Sequence, residues 1–174
     1  MIHSVSSAIT TKILIACHSS QQAISERLKQ GLLDQNLSCY LLNENTPQSL
    51  TARANAIQWC DVFVVFISRL YQRTRFCTEA IIYAKDVHKP IVAIYAERTF
   101  RPYGALGAIA TSATRSIILK DDSTLVYAAS DIANVAHSEV AKKADAVNAI
   151  DPTQVERSYY AYYIVCYLLY LDER

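Results

Sequence analysis

Apolar and polar positions alternate along this chain in blocks, and the blocks switch between two periods. Short continuous apolar runs occur at Ile13–Cys17, Leu37–Leu42, Val62–Ile67 and Ile91–Tyr95, with a weaker one at Ser116–Leu119. Runs of this length, rich in Val and Ile, read as strands buried on both faces. Between them the apolar positions recur at helical spacing. Ala23, Ile24, Leu28, Leu32 and Leu33 mark one helix, which Gly31 is expected to stop, with a serine of His18-Ser19-Ser20 as its N-cap. A second helix runs through Leu50, Ala54, Ile57 and Gln58, a third covers about 77–88, and a fourth starts at Asp121-Asp122-Ser123 and reaches about Lys143. Strand and helix therefore alternate, which predicts a parallel sheet covered on both sides. A flavodoxin-like five-stranded α/β sheet is the economical form. Its ligands are expected beyond the carboxyl ends of the strands, at Cys17-His18-Ser19, Asn43–Ser49 and Ser68–Cys77.

Two stretches fall outside the alternation. Residues 1–11 are rich in Ser and Thr and read as a loose leader before the domain at 12–145. The segment SYYAYYIVCYLLYL (Ser158–Leu171), in the extension 146–174, holds six of the 12 tyrosines. As a helix it would be apolar around nearly its whole circumference, so it predicts either packing along the domain's own core or a self-association surface.

Composition narrows the function classes. In 174 residues the net charge is +1, which gives no field favouring nucleic acid or an anionic membrane. Only 3 glycines are present, and no GxGxxG or GxxxxGK[ST] loop can be written. The 5 cysteines are widely spaced without a CxxC pair, and the four histidines form no HxxxH or HExxH. Buried thiols in a reducing cytoplasm are the plain reading, with no metal site. No window approaches the roughly 20 apolar residues that span a bilayer.

One stretch carries a more specific signal. The strand Val62–Ile67 ends at Ser68, and Tyr71 and Cys77 follow as S-x-x-Y-x5-C. A helix through Tyr83-Ala84, then Lys89-Pro90, the next strand and Arg101-Pro102-Tyr103-Gly104-Ala105-Leu106-Gly107 complete the order. This ordered set resembles a TIR (Toll/interleukin-receptor) domain, closest to those of invertebrates, over roughly Lys12–Val140. The resemblance implies a cytoplasmic module of innate-immune or cell-death signalling that associates with copies of itself or with other TIR domains. In some members the same fold cleaves NAD at the nicotinamide–ribose bond, with NAD as substrate and no resident cofactor. The loop Asn43–Ser49 then corresponds to the loop that closes over the nucleotide or contacts a neighbouring domain.

For the enzyme, the resemblance implies Glu79 as the catalytic carboxylate stabilising an oxocarbenium-like sugar. His18, Ser19, Asn43 and Ser68 would line the pocket, and Arg75, with Arg69 and Arg73, would hold the pyrophosphate. The family's usual C-x-x-E becomes Cys77-Thr78-Glu79-Ala80 here, so Ala80 takes the glutamate's place. A one-residue step on a helix turns a side chain by about 100°. Glu79 reads more simply as a solvated carboxylate near a helix start, and the arginines equally as a face that docks another domain. Trp59 reads as packing. A nucleoside deoxyribosyltransferase-like enzyme shares the architecture, but such enzymes tend to use glycine-rich turns that this chain lacks.

Overall fold

The structure is a computed structural model that describes residues 11–148. Residues 1–10 of the expected leader and the Tyr-rich segment lie outside the described residues, while Thr11 is buried. The chain divides into two units at Val140/Ala141. Of the second unit the described part is the end of a helix, exposed through Ala146. All else below concerns the first.

Five parallel strands form one sheet: β1 (Lys12–Ala16), β2 (Ser38–Leu42), β3 (Val62–Ile67), β4 (Ile91–Tyr95) and β5 (Arg115–Ile118), in the order β2-β1-β3-β4-β5. This is the flavodoxin-like α/β fold that the alternation predicts. The register sets Ile15 between Leu41 and Val64, and Val64 against Val92. Period-two alternation then splits the core. Ile13, Ile15, Val62, Val64, Phe66, Val92 and Ile94 face one side, covered by α1 (Gln22–Leu33) and α6 (Asp122–Asn148). Leu14, Ala16, Phe63, Val65, Ile67 and Ala93 face the other. That side is covered by α2 (Leu50–Trp59), α4 (Arg75–Asp86) and α5 (Gly104–Thr111). β3 is buried at all six positions, which is why its sequence shows no polar face.

Several expectations are corrected. Gly31 does not stop α1 but lies inside it, where a Cβ would sit 3.5 Å from Ala129 Cβ of α6. The turn falls at Asn36, whose φ of 60° is left-handed and follows Asn36 N–H donating to Leu33 O at 2.9 Å. His18, not a serine, caps the 3₁₀ turn Ser19–Gln21 that leads into α1, its side chain accepting from Ser20 N. The strands β1 and β5 each begin and end one residue earlier than the apolar runs suggest. Two short helices were not foreseen, α3 (Arg69–Arg73) and α5. At α3, Ser68 Oγ accepts from Tyr71 N at 3.1 Å, so the S-x-x-Y spacing is a helix cap.

Trp59 packs at the open β2 edge rather than in the core. It remains 38% exposed, with Tyr40 edge-on at 4.8 Å and Lys12 Nζ 4.8 Å above the ring.

Candidate functional site

The sheet order reverses between β1 and β3, since the chain runs outward to β2 from one and to β4 from the other. Ligands of open α/β sheets bind in the crevice at such a switch point. Four of the residues singled out in the sequence meet there: His18 and Ser19 after β1, Asn43 after β2, and Ser68 after β3. Two glutamines link them. Ser68 Oγ donates to Gln21 Oε1 at 3.3 Å, and Asn43 Nδ2 to Gln22 Oε1 at 3.5 Å. Asn43, nearly buried, also folds the start of its loop, because its Oδ1 accepts from Asn45 N at 3.0 Å and Thr46 Oγ1 at 3.2 Å.

The carboxylate at this crevice is Glu44, a residue the motif comparison passed over. Ser19 N donates to Oε1 at 2.9 Å and Oε2 at 3.0 Å, and His18 Nε2 lies 3.2 Å from Oε1. Because Ser20 N donates to His18 Nδ1 at 3.1 Å, that nitrogen is the acceptor. The Nε2–H tautomer therefore satisfies every partner, donating to Glu44. Burial by itself would raise the Glu44 carboxyl, but the Ser19 hydroxyl and N–H, aided by His18, outweigh it and hold it below the ordinary carboxylate value. It is ionised at neutral pH. Cys77 Sγ reaches both Glu44 Oε2, at 4.0 Å, and Cys17 O, at 3.9 Å, at the floor of the crevice. Burial pushes the Cys77 thiol up to about 12 and Cys17 to about 11, so neither is a nucleophile there.

Glu79 and Arg75 pair with each other and with α2 rather than with the Glu44 cluster. Arg75 Nε donates to Glu79 Oε1 at 2.6 Å, one turn along α4, and Arg53 Nη2 of α2 to Oε2 at 3.1 Å. Both carboxylate oxygens are thus engaged by arginines. The Arg75 hydrogen bond, with Arg53 behind it, lowers the Glu79 carboxyl despite some opposing burial. The Arg53 guanidinium lies 4.4 Å over the Phe76 ring, and the Arg75 side chain is 91% exposed. Ala80, where the family pattern sets the glutamate, is buried in the core beneath.

The arrangement can hold one fixed negative charge at the crevice, ringed by an imidazole, hydroxyls and amides. Such a group can accept hydrogen bonds from sugar hydroxyls or stabilise developing positive charge. Among the described residues no cluster of His, Cys, Asp and Glu could hold a metal, and no helix is long and apolar enough to cross a membrane. The signal for Glu44 was its place, two residues beyond the carboxyl end of β2, where ligands of such sheets bind.

No family model matches the sequence, and no curated protein does. Solved structures match in shape. The CMP N-glycosidase BcmB of Clostridium botulinum superposes with a TM-score of 0.52 at 18% identity, over 67% of this chain and 96% of that one. The diflavin flavoprotein A3 of Nostoc sp. gives 0.58 at 11%, over 77% and 98%. The TIR domains of the activated Roq1 resistosome give 0.42 at 14%, over 59% and 69%. At such identities the first two likenesses establish the fold: this chain has a flavodoxin-like α/β domain.

Proposed function

We propose that this chain is a TIR-like module that works in the cytoplasm by associating with copies of itself or with other TIR domains in immune or cell-death signalling. The observation that carries the reading is the engagement of Glu79. Its two oxygens bind Arg53 and Arg75 and tie α2 to α4, which supports a scaffold role for this carboxylate. The ordered S-x-x-Y-x5-C and R-P-x-G-x-L-G segments support the family resemblance beside it. Light scattering across a concentration series tests association. A strictly monomeric protein at every concentration, alone and mixed with a second TIR domain, removes the module reading.

A second reading rests on Glu44, and a CMP N-glycosidase among the structural neighbours makes its chemistry pertinent. In it, the ionised Glu44 stabilises the positive sugar as nicotinamide departs from NAD with the bonding electrons. Water then adds to the anomeric carbon and loses a proton, giving ADP-ribose. Glu79 takes no part. NAD turnover by the concentrated protein, beside Glu44→Gln and Glu79→Gln, separates the cases. Turnover abolished only by Glu44→Gln upholds the second reading; none in any variant removes it.

A further inference from the structure

A second opening lies at the carboxyl ends of β4 and β5 and shares no residue with the Glu44 cluster. It is a cavity of about 420 Å³, the size that small-molecule ligands occupy. Arg98 and Arg101 reach it from the loop after β4. Among the described residues neither guanidinium has a hydrogen-bond or ion-pair partner, whereas Arg53, Arg75 and Arg115 each hold a carboxylate. No acidic residue lines the cavity. Its other walls include the apolar surfaces of Tyr95, Pro102 and Ile118, the hydroxyls of Thr111 and Ser116, and Gly107.

The loop that carries the arginines is anchored on both flanks. Phe100, between them, is buried in the core, and Glu97 Oε1 accepts from Arg69 N at 3.2 Å. Gln72 Nε2 donates to Tyr103 O at 3.0 Å, and Tyr103 N donates back to Gln72 Oε1 at 3.3 Å. At Gly107 a Cβ would meet Pro102 O at 2.7 Å, so the loop seats directly on α5. Little backbone ordering is left to oppose binding. Two unpaired guanidiniums presenting fork-shaped donors suit a phosphate, and an aromatic ring with an aliphatic wall suits a flat base.

We propose that this cavity is a nucleoside-phosphate site, with Arg98 and Arg101 on the phosphates and the base against Tyr95 and Ile118. The site stands apart from both proposed functions, since it needs neither catalysis nor association.

Calorimetric titration with ADP, adenosine and pyrophosphate tests it, using the wild-type protein and the double variant Arg98→Ala/Arg101→Ala. Both side chains are on the surface, and circular dichroism confirms that the variant folds. ADP should bind the wild type at least tenfold more tightly than adenosine or pyrophosphate, and the double variant should lose at least tenfold for ADP, weaken pyrophosphate too and leave adenosine unchanged. Raising salt should weaken ADP and leave adenosine unchanged. Equal affinity for ADP and adenosine, an unaffected double variant, or no ADP binding at millimolar concentration would overturn the proposal. Pyrophosphate binding as tightly as ADP would overturn its nucleoside half.

Discussion

Replacing Glu44 by Gln preserves the side chain's length and removes its charge. In the wild type the carboxylate accepts from Ser19 N and faces His18 Nε2, with about a fifth of the side chain exposed. A hydrogen bond to a charged group contributes about 1.5–3 kcal/mol, and a neutral one about 0.5–1.5. Since Gln keeps one oxygen for Ser19 N, the substitution should cost about 1 kcal/mol, and Glu44→Ala about 2. In a domain of this size 1 kcal/mol lowers Tm by about 4 °C. The pH dependence carries a definite sign. The folded carboxyl sits below its unfolded value of 4.5, so the unfolded chain binds the proton more readily as pH falls. The contribution is complete above the unfolded value and is lost as pH drops through the folded one. Urea unfolding of both proteins from about pH 7 down to about pH 3 should therefore show a gap that closes only in acid. Ser19 amide exchange should also quicken in the variant. A gap absent at neutral pH, or one of constant size down to the lowest pH, would refute the argument.

Three other outcomes are expected. Tyr71→Phe should stabilise the protein by about 1 kcal/mol in urea unfolding, because it removes a buried hydroxyl with no hydrogen-bond partner among the described residues; a loss of stability would mean that the hydroxyl is satisfied. Gly107→Ala should cost about 1–3 kcal/mol, since the new methyl meets the Pro102 carbonyl; an unchanged Tm would mean that the loop moves aside without strain. Cys17, Cys39 and Cys77, lifted chiefly by burial to about 11, 12 and 12, should resist alkylation at mild alkaline pH until the chain is unfolded. Peptide-mapped labelling of the native protein reads each thiol, and rapid modification of any of the three would contradict its burial.

The sheet was legible because β1, β3 and β4 are buried at nearly every position and so spell almost unbroken apolar runs. The helices were legible where one stripe is buried, as with Leu28 and Leu32. α3 and α5 escaped for different reasons. α3 is barely a turn and a half with mostly polar letters, and α5 hides in the R-P-x-G-x-L-G string, whose small residues carry no amphipathic stripe. The gathering of His18, Ser19, Asn43 and Ser68 followed from strand ends alone. Glu44 did not, because a lone loop glutamate looks solvated, and its link to Ser19 spans 25 residues. The Glu79–Arg53 pair, 26 residues apart, was equally invisible, although the i,i+4 partner Arg75 stood in plain spacing.

The lone tryptophan of the sequence sits on the open edge of the sheet, between Tyr40 and the Lys12 ammonium. Its emission is therefore a local signal, coming from that rim and nothing else. Anything that lies down along β2, or peels it away, must shift the colour or the polarisation of that light. Events at the far side, around Arg98 and Arg101, should leave it dark to change. The molecule thus carries a native optical label that can say at which border of the sheet a visitor has arrived.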